Sequence, residues 1–359
     1  MALTANEKLL RDVIRHKVDI QRYGNGVVNN VLALLAEGEK DLEQQILLRV
    51  KDNWTTRRLN SILRELTQIN LDNYNSVQNR VKKEMKELAN HEAEVSAASI
   101  EKQTVVLSIV QPSAQQLAAI ASKEPITVGP DGKLLLEEIF QSLAFGREEK
   151  IRQAVRLGMV EGETGPQIVR RLIGTRKAKY ADGIINGNRR AATAMVRTIV
   201  NHVSNKAAQM TYDENSDILS GLQWVATLDT STCVVCITYE NGGKAYPVDS
   251  GPRPPVHVGD RCFMAPVLKS WQELGIKAEE IPQSTRASMN GQVAESMTYP
   301  EWLREHPEYA AEVLGSTRAK LFLNGKMPIS SFVDDNGNTL TLAELRDRSA
   351  SYFKKAGLD

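Results

Sequence analysis

The sequences TCVVC at residues 232–236 and PPVHVGDRC at residues 254–262 decide how the middle of this chain folds. They contain all three cysteines of the chain and one of its five histidines. A C-x2-C pair can present two thiolates to one ion, and the histidine and the third cysteine return after a short excursion. This spacing predicts a structural Cys3His zinc site. The predicted ligands are Cys233, Cys236, His257 and Cys262.

The residues alone leave three alternatives open for these side chains. The C-x2-C pair could be a redox site, although the βαβ context of such sites is not evident in the sequence. One cysteine could be a nucleophile with His257 as its base. Three buried thiols could also lie beside an unrelated histidine. We favour the metal because residues 220–270 contain few large apolar side chains, so a bound ion would supply stability that a small core lacks.

Outward from this segment the pattern is helical. Apolar residues recur at intervals of three and four, as in Leu59, Ile62, Leu63 and Leu66. Two segments begin with a threonine followed three residues later by Gln or Glu, at 164 and 341, and this pattern predicts capping boxes. The Gly-Asn-Gly sequence at 24–26 predicts a turn that separates the first helix from the second.

These patterns predict a mainly α fold with three parts. We expect a helical N-terminal arm or bundle at 1–124. A helical central domain follows at 125–285 and ends in a small β-containing, Cys/His-stapled module at 220–270. A C-terminal extension occupies 286–359. The low aromatic content of 5% agrees with a mostly helical chain, and no apolar run is long enough to predict a membrane span or a secretory signal.

The net charge of +1 argues against a uniformly basic nucleic-acid-binding protein, but charge is unevenly distributed. Residues 164–210 contain nine basic residues and one acidic residue. This segment predicts contact with a polyanion or an acidic partner. Without interleaved aromatic residues, a DNA contact would be directed to the phosphate backbone. The alternative is a solvated face neutralised by acids from elsewhere. The candidate contact residues are Arg170, Arg171, Arg176, Lys177, Lys179, Arg189, Arg190 and Arg197.

The cysteine segment also resembles a known family. Trp224, Asp229, the TCVVC sequence, Gly242-Gly243 and the final PPVH and RC sequences are similar to the Mu F-like head morphogenesis family, the minor head proteins of tailed bacteriophages. Weaker similarity extends over roughly 125–350. The family has a second cysteine where this chain has Asp260. The substitution leaves open whether Asp260 contributes a ligand or Cys262 alone completes the site. We expect Asp229 to accept hydrogen bonds from turn amides.

The resemblance implies a structural, non-enzymatic virion protein. Such proteins associate with the portal inside the head, after assembly in the host cytoplasm, and support head morphogenesis, capsid assembly and DNA packaging or delivery. The partners implied are the portal protein, with the major capsid or scaffolding protein and packaged double-stranded DNA as further candidates and no membrane. The alternative function is a zinc-stabilised module that contacts DNA phosphates non-specifically. An enzyme is the third hypothesis, but no P-loop, G-x-S-x-G or H-E-x-x-H motif is present.

Overall fold

The two longest helices pair in an antiparallel hairpin. In the computed structural model, which describes residues 4–50, 55–104, 108–129, 132–270, 273–274, 285–288, 291–294, 297–334 and 338–358, these helices are α1 (Ala5–Arg49) and α2 (Thr56–Glu101). Thr4 forms a capping box with Glu7 at the start of α1. An ion pair between Arg49 and Glu65 joins the helices near the turn of the hairpin.

The turn predicted at Gly24-Asn25-Gly26 is wrong, because α1 continues through these residues. Gly24 is buried and faces Val200, and a methyl group added at Gly24 would lie 3.4 Å from Val200 Cγ1. A small residue here allows two helices to approach closely. Tertiary packing therefore outweighs the local tendency of glycine and asparagine to break a helix.

A third long helix, α6, packs against this hairpin. The elements between the hairpin and the end of this helix are α3 (Ala114–Lys123), β1 (Ile126–Gly129), β2 (Gly132–Leu134), α4 (Leu136–Glu161), α5 (Gly165–Ile173) and α6 (Asn186–Glu214). The capping box predicted at Thr164 and Gln167 is confirmed at the start of α5. Buried residues of α1, α2, α3, α4 and α6 form one continuous core. This core crosses the predicted boundary at 124/125, and the three-part division stays a prediction.

The β-containing module is a small antiparallel sheet with one short helix. Its elements are β3 (Leu219–Val225), α7 (Val234–Tyr239), β4 (Ala245–Tyr246) and β5 (Phe263–Leu268), and the strand order is β4-β3-β5. Gly221 lies where β3 and β4 approach most closely, and a Cβ atom there would be 2.5 Å from the Tyr246 carbonyl oxygen. Trp224 is fully buried in the core of this module.

The C-terminal part forms its own core of short helices. Its elements are the hairpin strands β6 (Thr285–Ser288) and β7 (Gly291–Ala294), and the helices α8 (Tyr299–Glu305), α9 (Ala310–Leu314), α10 (Ser316–Leu323) and α11 (Leu342–Ala356). The capping box predicted at Thr341 and Glu344 is confirmed at α11. Leu228 and Ile237 of the β-containing module are part of this C-terminal core. The mainly α fold with a small sheet beside the cysteines is confirmed. Among the described helices, none is long and apolar enough to cross a bilayer.

Candidate metal centre

The first half of the candidate site is the start of α7. Cys233 is the N-cap residue of this helix, and its Sγ accepts a hydrogen bond from the Cys236 backbone N–H at 3.4 Å. The C-x2-C spacing therefore spans the first turn of a short helix. Both sulfur atoms consequently point to the same side of the helix terminus. Cys236 is buried and Cys233 is half-buried, and both are free thiols.

The second half is the segment 254–262, which we call the metal loop. It contains His257 and ends at Cys262, directly before β5. The Nε2 atom of His257 lies 3.3 Å from Cys233 Sγ and 3.3 Å from Cys236 Sγ. The ligand atoms of Cys236, Asp260 and Cys262 form a second group within 4.8 Å of one another. The four predicted ligands thus lie together, in two overlapping groups that share Cys236, and could bind a metal.

The two sulfur–nitrogen separations of His257 fit a tetrahedral ion. With metal–sulfur bonds of about 2.3 Å and metal–nitrogen bonds of about 2.0 Å, ligand atoms lie about 3.5 to 3.8 Å apart. The two sulfur–nitrogen distances of 3.3 Å are close to these values. His257 is therefore a member of the cluster, and the alternative of an unrelated histidine is wrong. We refer to Cys233, Cys236, His257 and Cys262 as the Cys/His cluster.

The orientation of the His257 ring suits a ligand. Its Nδ1 lies 3.0 Å from the Val258 carbonyl oxygen, to which it donates a hydrogen bond. A ring that donates from Nδ1 keeps Nε2 directed at the sulfur atoms, and the Nε2 lone pair would face a metal once its proton is displaced. Metal-bound histidines are commonly fixed in this way by a second hydrogen-bond partner.

The pKa values of the cluster describe one ion pair beside two neutral thiols when no cation is bound. The hydrogen bond from Cys236, with a further one from His257, lowers the pKa of Cys233 to about 4. The hydrogen bond with Cys233 raises the pKa of His257 to about 9. The hydrogen bonds with Cys233 and Cys262 raise the pKa of Cys236. The hydrogen bond with Cys236 lowers the pKa of Cys262, but burial and nearby Asp260 raise it by more. A bound cation would displace the two remaining thiol protons and the Nε2 proton of His257.

Asp260 is the residue that departs from the family pattern, and it is buried at 3% exposure. Its carboxylate accepts hydrogen bonds from the backbone N–H groups of Cys262 at 2.8 Å and Val256 at 2.9 Å. The Cys236 thiol donates to the same carboxylate at 3.7 Å. These contacts join two backbone groups of the metal loop and the Cys236 thiol of α7 to one carboxylate. Asp260 therefore positions the loop, and it also lies close enough to offer an oxygen ligand.

Helix α6 anchors the metal loop through three polar side chains. The amide of Asn201 donates to the carbonyl oxygens of Asp260 at 2.8 Å and Cys262 at 3.2 Å. The amide of Asn205 donates to the Cys262 carbonyl oxygen at 3.2 Å. Thr198 Oγ1 accepts from the Gly259 backbone N–H at 2.9 Å. These three residues were not among the predicted site residues, and their only signal in the sequence is a polar stripe at 198, 201 and 205 on one helix face.

The C-terminal core is tied to the other side of the cluster. Arg261 forms a two-bond ion pair with Asp229, at 2.6 and 2.9 Å. Asp229 also accepts from the Ser231 backbone N–H at 2.9 Å, as predicted for a turn-stabilising residue. The Tyr299 hydroxyl donates to the Asp229 carbonyl oxygen at 2.7 Å. The cluster is thus placed between α6 and the C-terminal helices.

The eight predicted basic contact residues divide into two groups. Arg171 pairs with Glu161 and Glu163, and Arg189 pairs with Glu39, so these two charges are neutralised within the chain. The other six are exposed to solvent. They are Arg170, Arg176, Lys177, Lys179, Arg190 and Arg197. The alternative of balancing acids therefore holds for two residues of the set.

Comparison of the chain with protein-family models, with curated proteins and with solved structures finds no significant match. The resemblance to phage head morphogenesis proteins accordingly rests on the residues quoted above, and function has to be inferred from the site.

Proposed function

We propose that the Cys/His cluster is a structural zinc site. Three cysteine sulfur atoms and one imidazole nitrogen favour zinc over the hard cations, which prefer oxygen ligands. Four protein ligands complete the coordination, so no position is left for a substrate or a reactive water. Zinc would hold the metal loop to α7, and through the loop it would join α6 to the C-terminal core.

The test of this proposal is the metal content of the protein purified without chelators. We expect one zinc per chain in the wild type and loss of that zinc in Cys236→Ser, because Cys236 belongs to both groups of ligand atoms. Ser231→Ala is the matched control, since Ser231 is exposed and lies beside the cluster. Wild-type protein without metal, or a Cys236→Ser protein that retains zinc, would contradict the proposal.

We further propose that the chain is a minor head protein of a tailed bacteriophage. It would be non-enzymatic, associate with the portal and support head assembly and DNA packaging or delivery. The observation that carries this proposal is the closed Cys/His cluster in a mainly helical chain, in the sequence context of the head morphogenesis resemblance. A closed metal site between helices stabilises a scaffold and supplies no catalytic position.

Binding to the purified portal protein of the same phage tests the head function. We expect the wild type to co-elute with the assembled portal and to be found by mass spectrometry in virions. Zinc-free protein that remains soluble should lose this association, because the surface beside the cluster is no longer fixed. Intact portal that fails to bind folded, zinc-loaded protein, together with virions that lack the protein, would refute the proposal.

One observation favours a second function, non-specific contact with DNA phosphates. Six exposed basic side chains lie between 170 and 197, in a protein with a net charge of only +1. Counterion release would make such binding fall steeply with salt concentration. Replacing Arg176 and Lys177 by Glu should weaken binding to a labelled duplex. The paired residue Arg171 offers a control, because Arg171→Gln removes a charge that Glu161 and Glu163 already neutralise. Absent or salt-independent binding would exclude this function.

A further inference from the structure

A groove between α1 and the N-terminal half of α6 has no role in the site described above. Its volume is about 510 Å³. The residues that line it are Leu32, Ala36, Asn186, Arg189, Arg190, Thr193, Ala194 and Arg197. We call it the α1/α6 groove. Its floor is apolar, its rim carries guanidinium groups, and none of these eight lining residues is acidic.

Two of the arginines in the groove have charges that none of the described residues neutralises. Arg189 is held by the buried carboxylate of Glu39. Arg190 and Arg197 are exposed, and within the part of the chain that the structure describes neither forms an ion pair. Arg197 donates to the neutral side-chain oxygen of Asn25, at 3.1 Å. The rim therefore presents two positive charges beside an apolar surface.

More positive charge lies at the beginning of α6. A methyl group added at Gly187 would be 3.2 Å from Lys150 Nζ, so this amine lies beside the first turn of the helix. The ring centroid of Tyr180 lies 6.0 Å from the Arg189 guanidinium. This contact places the exposed loop that contains Lys177 and Lys179 near the beginning of α6 as well. The groove is thus open toward a region of positive potential, which attracts acidic ligands.

We propose that the α1/α6 groove binds an acidic amphipathic helix of a partner protein. Arg190 and Arg197 are seven residues apart, and seven helical residues span about 10.5 Å. A partner helix with carboxylates two turns apart would match them. Apolar side chains on the same face of that helix would cover Leu32, Ala36 and Ala194. A DNA backbone has no apolar side chains for this floor, so the groove favours protein over nucleic acid.

In the proposed head protein this groove would be the site for an acidic segment of the portal or another head component. Only the identity of the partner rests on the proposed function, because the groove can be tested with a synthetic peptide. Failure of the peptide test would leave zinc content and virion association unaffected. Conversely, absence from virions would not change the peptide result.

The probe is a fluorescein-labelled helix of about 18 residues, long enough to be partly helical in water, with a Leu/Ala stripe flanked by Glu at positions i and i+7. Fluorescence anisotropy should show saturable binding to the full-length protein. A peptide with Gln in place of Glu should bind about tenfold more weakly or worse, because the charged contacts are removed. Equal binding of the two peptides would overturn the proposal.

Charge reversal distinguishes loss of binding from loss of folding. The double variant Arg190→Glu with Arg197→Glu should lose the Glu peptide and gain affinity for a peptide with Lys at the same two positions. The control is Arg176→Glu with Lys177→Glu, which makes the same change of charge in the neighbouring exposed loop. The proposal fails if this control reduces peptide binding as much as the groove variant, or if the Lys peptide gives no rescue.

A steric variant tests the groove without changing its charge. Ala36→Phe fills the apolar floor and should abolish binding of the Glu peptide while leaving binding to a labelled DNA duplex unchanged. Peptide binding that survives Ala36→Phe would refute the groove as the site. The last test is competition with the DNA duplex. If the duplex displaces the Glu peptide from the wild type but not from the Arg176→Glu, Lys177→Glu variant at the same concentration, the basic surface would be assigned to nucleic acid and the proposal would be overturned.

Discussion

Two polar clusters in the interior of this molecule differ in how their charges are balanced. In the helical core, Glu92 Oε2 on α2 accepts hydrogen bonds from Lys17 Nζ of α1 at 2.8 Å and from Ser204 Oγ of α6 at 2.5 Å. His16 bonds to its other oxygen. Opposite charges on two helices, together with a hydroxyl group from a third, therefore satisfy one another. The Cys/His cluster gathers three thiols and one imidazole, which cannot all ionise without an added cation. The helices thus supply their own counter-charges, whereas in the module the proposed zinc would supply the counter-charge.

Metal removal gives the largest expected difference between the two regions. Structural zinc supplies about 10–16 kcal/mol in isolated zinc-finger peptides, so chelation should unfold the β-containing module and loosen the C-terminal core. The helical core should keep its structure, because its polar contacts need no metal. Limited proteolysis with and without a zinc chelator checks this, and we expect new cleavage after residue 215 while 20–49 and 56–93 of α1 and α2 remain protected. If both regions lose their protection from proteolysis together, the helical core also depends on the metal.

Glu92→Gln tests the helical core in the same way. Gln keeps the shape of the side chain but leaves the Lys17 ammonium buried at 5% exposure without its counter-charge. Breaking a buried pair by removing one partner costs about 3–5 kcal/mol. Chemical denaturation should therefore show a loss of that size. The control is Glu94→Gln, two residues further along α2 and exposed to solvent. It should change the free energy of unfolding by less than about 0.5 kcal/mol. Equal effects would indicate that the ion pair is not important for stability.

Acid should weaken the same core progressively. Burial raises the pKa of Glu92, but Lys17 and His16 lower it by more, to about 2 from an ordinary value of 4.5. Because the folded-state pKa is depressed, this contribution is complete above pH 4.5 and is lost as the pH falls toward 2. The shift corresponds to about 3 kcal/mol. The stability difference between wild type and Glu92→Gln should shrink over this range, and a constant difference would contradict the depressed pKa.

The smallest expected effect concerns the contact between the two regions. Asn201→Ala removes the amide that bonds to the carbonyl oxygens of Asp260 and Cys262. The Cys262 carbonyl oxygen keeps its bond from Asn205, but the Asp260 carbonyl oxygen loses this donor, and an unsatisfied buried acceptor costs about 1–3 kcal/mol. We expect zinc to remain bound but to exchange faster with a competing chelator. Asn79→Ala, an exposed position on α2, serves as the control. Unchanged stability and unchanged zinc exchange would show that α6 does not anchor the metal loop.

The sequence predicts those parts of the structure that depend on neighbouring residues. The caps at Thr164 and Thr341 were predictable because a capping box spans four residues. The Cys/His cluster was predictable because its ligands fall within thirty residues and ligand types are chemically restricted. The anchors Asn201 and Asn205 were not, since their contacts lie 57 to 61 residues away along the chain. The prediction of a turn at Gly24 was wrong for the same reason, because the distant residue Val200 determines the packing there.

The position of the metal loop in the chain has a consequence for folding during synthesis. All the ligands lie between 233 and 262, and the helix that anchors them, α6, ends at Glu214. When Cys262 leaves the ribosome, every group needed to close the site has already been made, and the loop to be closed is short. The helices from α8 onward are synthesised later and would meet Leu228 and Ile237 on a surface that the proposed zinc already holds in place.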